Sequence, residues 1–386
     1  MKEREYLKEL GKKITDSSVR KEIVNEYEAH IEDCKAALME SGMTEVEAEE
    51  EAVRQMGDPQ EAGEAMDKMQ YSKLIKLDPN IPVFFQPWFL DAVSPDCNWD
   101  VCGNYIDRNK WGVHPYFLEK TDGIKAVCVP PLTQYMGPFV HIDNSINSPR
   151  HFSAEALILT GLLNEIQEKG NFYAQKWGPW QSNWLPAYHC RFNQSSRITF
   201  YVDGRQDYSV VKANYSSQVR NKLHNKNGIA IREETAPSIL YDMAVESLRK
   251  VDKKPKYSSQ ELERLIIACV KNEGGRQLVA YSATGHPLAS VLLLEDNLNL
   301  YYYIAGEYAQ FRGQNAPTLL VDECIQIACK KRKGFDFTGS MLPNVSKFYQ
   351  SFGAQIINYN MLTKDNRKNQ SDISVENLSK KLLFRF

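Results

Sequence analysis

The sequence predicts an α/β (α+β) protein: an all-α module over residues 1–70, then two mixed-sheet domains at 71–205 and 206–386. Three observations carry this reading. Apolar residues recur at steps of three and four through the first seventy positions. Short β-branched and aromatic runs, punctuated by Gly, Pro, Asn and Asp, fill the remainder and alternate with helical patterns. Charge changes sign near the same boundary: residues 1–70 hold ten Lys and Arg against nineteen Asp and Glu, whereas the rest holds 37 against 30.

In the first module Val19, Ile23, Tyr27, Ile31, Cys34 and Leu38 fall on one face of a long helix. Thr44 and Glu47 form a capping box for the next helix, which stops at Gly57. Asp58-Pro59 then supplies an N-cap and an N1 proline for a fourth helix, with Glu61 at N3. With these caps complete, the module reads as separable, joined to the body by a linker at Met69–Pro82. The cluster Glu28, His30, Glu32 and Asp33 reads as a solvated acidic face.

Beyond the linker, Trp99–Tyr105, Trp111–Leu118, Ile124–Val129 and Arg197–Val202 read as strands. Ser153–Lys169 reads as an amphipathic helix with Ser153 as its N-cap. The C-terminal half is more regular. Arg276–Ser282, Leu288–Leu294 and Leu298–Ala305 are strands joined by turns, and Pro317–Lys331 is a helix. A buried strand around Phe335–Thr338, a short helix through Lys347-Phe348-Tyr349 and a last strand at Gln355–Asn360 complete the order.

The whole chain, at 386 residues with 42% hydrophobic and 25% charged composition, suits a soluble multidomain protein. No apolar run is long enough for a bilayer, and Met-Lys-Glu-Arg-Glu does not open a signal peptide, so a cytoplasmic location is expected. Eight cysteines at 34, 97, 102, 128, 190, 269, 324 and 329 include no CxxC pair and no zinc spacing. No metal and no disulfide is expected.

The order strand, strand, strand, helix, strand, helix, strand from Arg276 to Asn360 resembles the core of GNAT N-acyltransferases. Lys347-Phe348-Tyr349 followed by Phe352-Gly353-Ala354 resembles their closing FYxxxGF motif, with Ala354 in place of the last aromatic. Phe335-Asp336-Phe337-Thr338-Gly339 resembles the corresponding strand of the Fem-like branch, whose known members include aminoacyl ligases. Phe85–Ala92, Pro130–Pro138 and Asn183-Trp184-Leu185-Pro186 are similar to a first, degenerate GNAT-like domain in two-domain Fem-like bacterial proteins. Residues 1–70, through Glu26–Asp33, Gly42–Glu45 and Met56–Pro59, resemble HAAS and permease-prefix helical domains, which implies a protein partner for the module.

The resemblance implies transfer of an acyl or aminoacyl group to an amine. Tyr349 occupies the position of the leaving-group acid. Strand alternation puts Asp336 opposite Phe335 and Phe337, where a carboxylate could hold the amine or take its proton. Gln310, Arg312, Gly313 and Asn315 correspond to the loop that cradles the pyrophosphate of coenzyme A at a helix N-terminus. Asn315 departs from the small residue usual there. Arg197, Trp184 and Lys347 are candidate substrate-binding residues, and Trp177 and Trp180 candidate stacking surfaces. Arg220–Lys226 reads as a basic helix face.

No tightly bound cofactor is expected; an acyl-coenzyme A enters as a donor substrate, with a small molecule or cell-wall precursor as the amine acceptor. Two alternatives stay open: a peptidoglycan-precursor aminoacyl ligase using charged tRNA, and a non-catalytic GNAT-like binding or regulatory protein.

Overall fold

A computed structural model describes residues 1–14, 17–94, 99–121, 123–143, 145, 147–225, 228–249, 252–367 and 374–383. Cys97 and Lys226 lie outside them. Chain order begins with α1 (Glu3–Lys13), α2 (Ser17–Glu40), α3 (Glu45–Gln55), α4 (Pro59–Leu74) and α5 (Pro87–Val93). Next come β1 (Trp99–Asp107), β2 (Lys110–Thr121), β3 (Ile124–Cys128), β4 (Phe139–Ile142), α6 (Ser148–Ile166), β5 (Phe172–Lys176) and α7 (Leu185–His189). Then follow β6 (Asn193–Val202), α8 (Tyr208–Ala213), α9 (Ser217–His224), β7 (Ala230–Glu233), α10 (Pro237–Arg249) and α11 (Ser259–Lys271). The remainder is β8 (Gly275–Tyr281), β9 (Pro287–Glu295), β10 (Asn299–Glu307), α12 (Ala316–Lys331), β11 (Gly334–Asp336), α13 (Pro343–Gln350), β12 (Gln355–Asp365) and α14 (Val375–Leu383).

The chain divides into two compact units: residues 1–78, 100–115 and 138–166, and residues 79–99, 116–137 and 167–386. These limits differ from the expected boundaries at 70 and 205. In the first unit, Tyr6, Leu10, Ile14, Ile23, Ile31, Ala52 and Val53 form the core of α1–α4. The Thr44–Glu47 capping box is present with both of its bonds, and the Asp58 carboxylate accepts the N–H groups of Gln60 and Glu61. Helix α4 runs through Leu74, so the expected linker start at Met69 lies inside a helix. Tyr71, Leu74 and Leu77 line a cavity with Val101, Tyr105 and Val113, and the helical module therefore shares its apolar surface with a strand hairpin. Helix α6 begins at Ser148, five residues before the expected cap; the Ser153 hydroxyl donates back to the Pro149 carbonyl at 2.9 Å.

In the second unit the strand order is β3-β5-β12-β6-β11-β10-β9-β8-β7. The strand β12 pairs antiparallel with both β5 and β6. A segment expected to close the C-terminal domain therefore sits between two strands of the preceding one, and α14 packs beside it against Ile124, Ala126 and Phe172. The main core lies on one face of β6 and β8–β11. There Phe200, Leu278, Val291, Leu293 and Leu300 meet α12 residues Leu320, Val321, Cys324 and Ile325. Among the described residues no helix is long and apolar enough to cross a membrane.

Candidate active site

The site begins where two parallel strands part. Strands β10 and β11 pair only over Asn299–Tyr301 with Gly334–Asp336. Strand β11 then ends, while β10 continues to Glu307 and leaves a wedge along its edge away from β9. Strand β10 also carries a bulge: Tyr302 is opposite Leu293 and Ile304 opposite Leu292, leaving Tyr303 without a counterpart. The extra residue shifts the alternation by one. Tyr302 before the bulge and Ala305 after it consequently pack on the same core face, and Glu307 follows Ala305.

A cavity of about 720 Å³ occupies this wedge, within the usual range for small-molecule sites. Its floor is Tyr302–Glu307, with Ala244, Ser247 and Leu248 of α10 on one wall and Val345, Phe348 and Tyr349 of α13 on another. The first turn of α12 and the preceding Gly313 and Asn315 close one end, beside Lys222. Gly306 allows α10 to cross β10 closely, since a Cβ there would lie 2.4 Å from the Met243 carbonyl carbon and 2.6 Å from the Ala244 nitrogen. Gly306→Ala is expected to lose about 1–3 kcal/mol through overpacking against backbone, read by urea denaturation. An alanine variant as stable as the parent would contradict this close crossing.

The end at α12 has the features of an anion cradle. Gly313 has φ +93° and Asn315 φ +65°, and no heavy atom lies within 4 Å of a Cβ placed on Gly313. Among the described residues the N–H groups of Gly313, Asn315 and Ala316 make no internal hydrogen bond, whereas those of Thr318 and Leu319 return to the Asn315 carbonyl. The Asn315 departure thus has a backbone reason: after Gly, Asn is among the residues that best tolerate the left-handed conformation used here. Gln310 and Arg312 are exposed, and the Arg312 guanidinium stands 3.7 Å from Glu307.

Tyr349 lines the cavity with its ring stacked on Phe337 at 4.2 Å. Its hydroxyl has no hydrogen-bond partner among the described residues, and burial holds its pKa above the ordinary phenol value. The Tyr302 hydroxyl on the cavity floor is likewise pushed up by burial. Burial raises the Glu307 carboxyl, partly offset by Lys222. Sequence reasoning missed Glu307, Tyr302 and Lys222. A strand-terminal Glu and a tyrosine within a triplet carry no motif, and only the bulge brings them to one face.

The other expected residues lie elsewhere. Asp336 is buried on the opposite face of β11 from Phe335 and Phe337, away from the cavity. It accepts hydrogen bonds from Thr199 Oγ1 at 2.5 Å, the Thr338 N–H at 2.7 Å and Tyr135 Oη at 3.4 Å. Burial lifts it to about 6 against those three bonds. Arg197 shares that face, opposite Tyr359 in the strand register, and its charge reinforces the effect of burial in lowering buried Lys176 to about 7. Lys347 is exposed and does not line the cavity. Trp184 sits in a separate shallow hollow with Leu185 and Tyr188. Trp177 is buried and donates to the Tyr173 hydroxyl, and Trp180 stacks on Phe84.

Comparison with known proteins finds a family match for most of the cavity lining, though not for Val345, Phe348 and Tyr349. Residues 218–344 match the model described as the acetyltransferase (GNAT) domain. These residues form a GNAT domain. It begins well before Arg276, where sequence reasoning started the core, and takes in β7, α10 and α11. Residues 5–65 match the HAAS model, so the chain joins a HAAS domain to the GNAT domain. Among solved structures, the crystal structure of FemX is similar at 11% identity and a TM-score of 0.56, covering 76% of this chain and 95% of that one. The C-terminal domain of a putative lysylphosphatidylglycerol synthetase from Agrobacterium fabrum is similar at 9% identity and a TM-score of 0.51, covering 83% and 98%. Both likenesses concern the fold, and the Fem-like arrangement expected from the sequence agrees with them. None of the curated proteins matches the chain.

Proposed function

We propose that the GNAT domain transfers an acyl group from a coenzyme A-type thioester to an amine. The observation that carries this reading is the convergence, in one cavity, of a strand bulge with a helix N-terminus and a tyrosine hydroxyl that have no hydrogen-bond partner among the described residues. Donor phosphates would rest on the free N–H groups of Gly313, Asn315 and Ala316, where the α12 dipole favours negative charge. Lys222 and Arg312 add positive charge beside them. The pantetheine arm would follow β10, bringing the thioester carbonyl to the bulged peptide. The amine nitrogen attacks that carbonyl carbon and the C–S bond breaks. Glu307 takes the amine proton, and Tyr349 donates its proton to the departing thiolate.

Thiol release from acetyl-coenzyme A, screened across amine acceptors, tests this reading. Glu307→Gln is expected to lower kcat and to abolish the acidic limb of the rate profile. Because burial raises Glu307, that limb falls at higher pH than for an ordinary glutamate: activity is lost as pH drops through the elevated value and the base becomes protonated. An unaltered profile in Glu307→Gln would remove Glu307 from the mechanism.

Aminoacyl transfer is the second reading. The fold likeness to FemX and to a lysylphosphatidylglycerol synthetase domain favours it, the latter's product name denoting a lysyl group. Charged tRNA is therefore the comparison donor in the same assay.

A further inference from the structure

The turn between β11 and α13 holds an unusual backbone conformation. Thr338 has φ +59° and Gly339 φ +93°. A left-handed β-branched residue is a strained outlier that persists only where its surroundings hold it. Asp336 Oδ1 accepts the Thr338 N–H and the Thr199 hydroxyl, and Thr199 Oγ1 in turn accepts the Gly339 N–H at 2.8 Å. Thr338 Oγ1 lies 2.8 Å from the Tyr302 carbonyl and equally close to that of Phe337. Tyr302 is the last residue before the β10 bulge, and the ring of Phe337 stacks on Tyr349. One hydroxyl therefore joins the strand beneath the cavity to the turn that leads into α13.

We infer that Thr338 is a positioning residue whose hydroxyl locks the Tyr302 peptide at the bulge to the turn that aims Tyr349. The bulged peptide and the Tyr349 hydroxyl are thereby set in one register. Asp336 acts through Thr338 and not on substrate, which accounts for a carboxylate buried on the far face of β11. The kinetic consequence rests on the acyl-transfer reading; the geometric one does not.

Thr338→Val keeps the β-branch and removes the hydroxyl, and Thr338→Ser keeps the hydroxyl. The valine variant is expected to lower kcat by about 10- to 100-fold with donor affinity unchanged, as for a reacting group displaced by about an ångström. Serine restores most of the rate. Adding Tyr349→Phe to the valine variant costs less than adding it to the parent, because the two residues act as a unit. Fluorotyrosine NMR gives a readout independent of turnover, with the Tyr349 line assigned by its loss in Tyr349→Phe. That line should shift in Thr338→Val and return in Thr338→Ser. If the valine variant does not fold, Thr338→Gly carries the test, since it adopts the same backbone without the hydroxyl. A Tyr349 line that stays in place, or valine and phenylalanine effects that multiply, overturns the positioning role. A line that moves in a protein inactive with every donor leaves the positioning role standing and overturns acyl transfer.

Discussion

Tyr349→Phe is expected to lower turnover by roughly 100- to 10,000-fold while leaving donor affinity in place. The substitution removes one proton donor and almost no volume. The ring keeps its stacking on Phe337 and its edge contact with Tyr302 at 6.1 Å, so the α13 wall stays where it is. Burial raises the hydroxyl's pKa, which keeps it protonated through the neutral range and ready to meet a thiolate. Steady-state kinetics beside calorimetric donor binding separates the two effects. A phenylalanine variant as active as the parent would return Tyr349 to a packing role.

Asp336→Asn is expected to change how stability depends on pH. In the fold the Asp336 carboxyl is lifted from 3.8 to about 6, first by burial, with Asp296 adding to the rise and the bonds from Thr199, Thr338 and Tyr135 opposing it. Its hydroxyl neighbours Tyr135, Tyr301 and Tyr359 stay neutral in that range, each being raised by its own burial. Between those two values the native state holds a proton that the unfolded chain has released, so the Asp336 contribution to stability falls as pH rises through the window. It is flat below about 4 and above about 6. The loss is on the order of 3 kcal/mol, from the pKa difference converted at about 1.4 kcal/mol per unit. Urea unfolding of both proteins from pH 4 to 7 measures it as the change in their difference. Curves that stay parallel would show that Asp336 is not raised in the native state.

Much of the GNAT domain was legible because its signals are local. Alternation, a continuous apolar run and turn residues mark β8, β9 and β10, and the apolar face of Leu319, Leu320, Cys324, Ile327 and Ala328 marks α12 within a residue or two of its bounds. Alternation also put Asp336 opposite Phe335 and Phe337, but which face borders the cavity depends on where α10, α12 and α13 pack. The place of β12 between β5 and β6 was hidden for the same reason, since its partners lie about 150 to 190 residues away in sequence. Asn315 departs from the small residue usual at its position, and the left-handed backbone that suits Asn there carries no signal in the sequence. Glu307 needed the bulge, which shifts the face of everything after Tyr302 and has no composition of its own. The aromatic and cationic residues Trp184, Arg197 and Lys347 fit a substrate site by type, yet none lines the cavity.

Donor binding tests the central claim most directly. Acetyl-coenzyme A, free coenzyme A and charged tRNA are titrated calorimetrically into the full chain, with thermal unfolding recorded alongside. The coenzyme A ester is expected to bind saturably, to raise stability by about 2.7 kcal/mol at a hundredfold excess over its Kd, and to bind more weakly to Arg312→Ala. A folded protein that binds charged tRNA alone, or no donor at all, would contradict the assignment of the α12 cavity to a coenzyme A thioester.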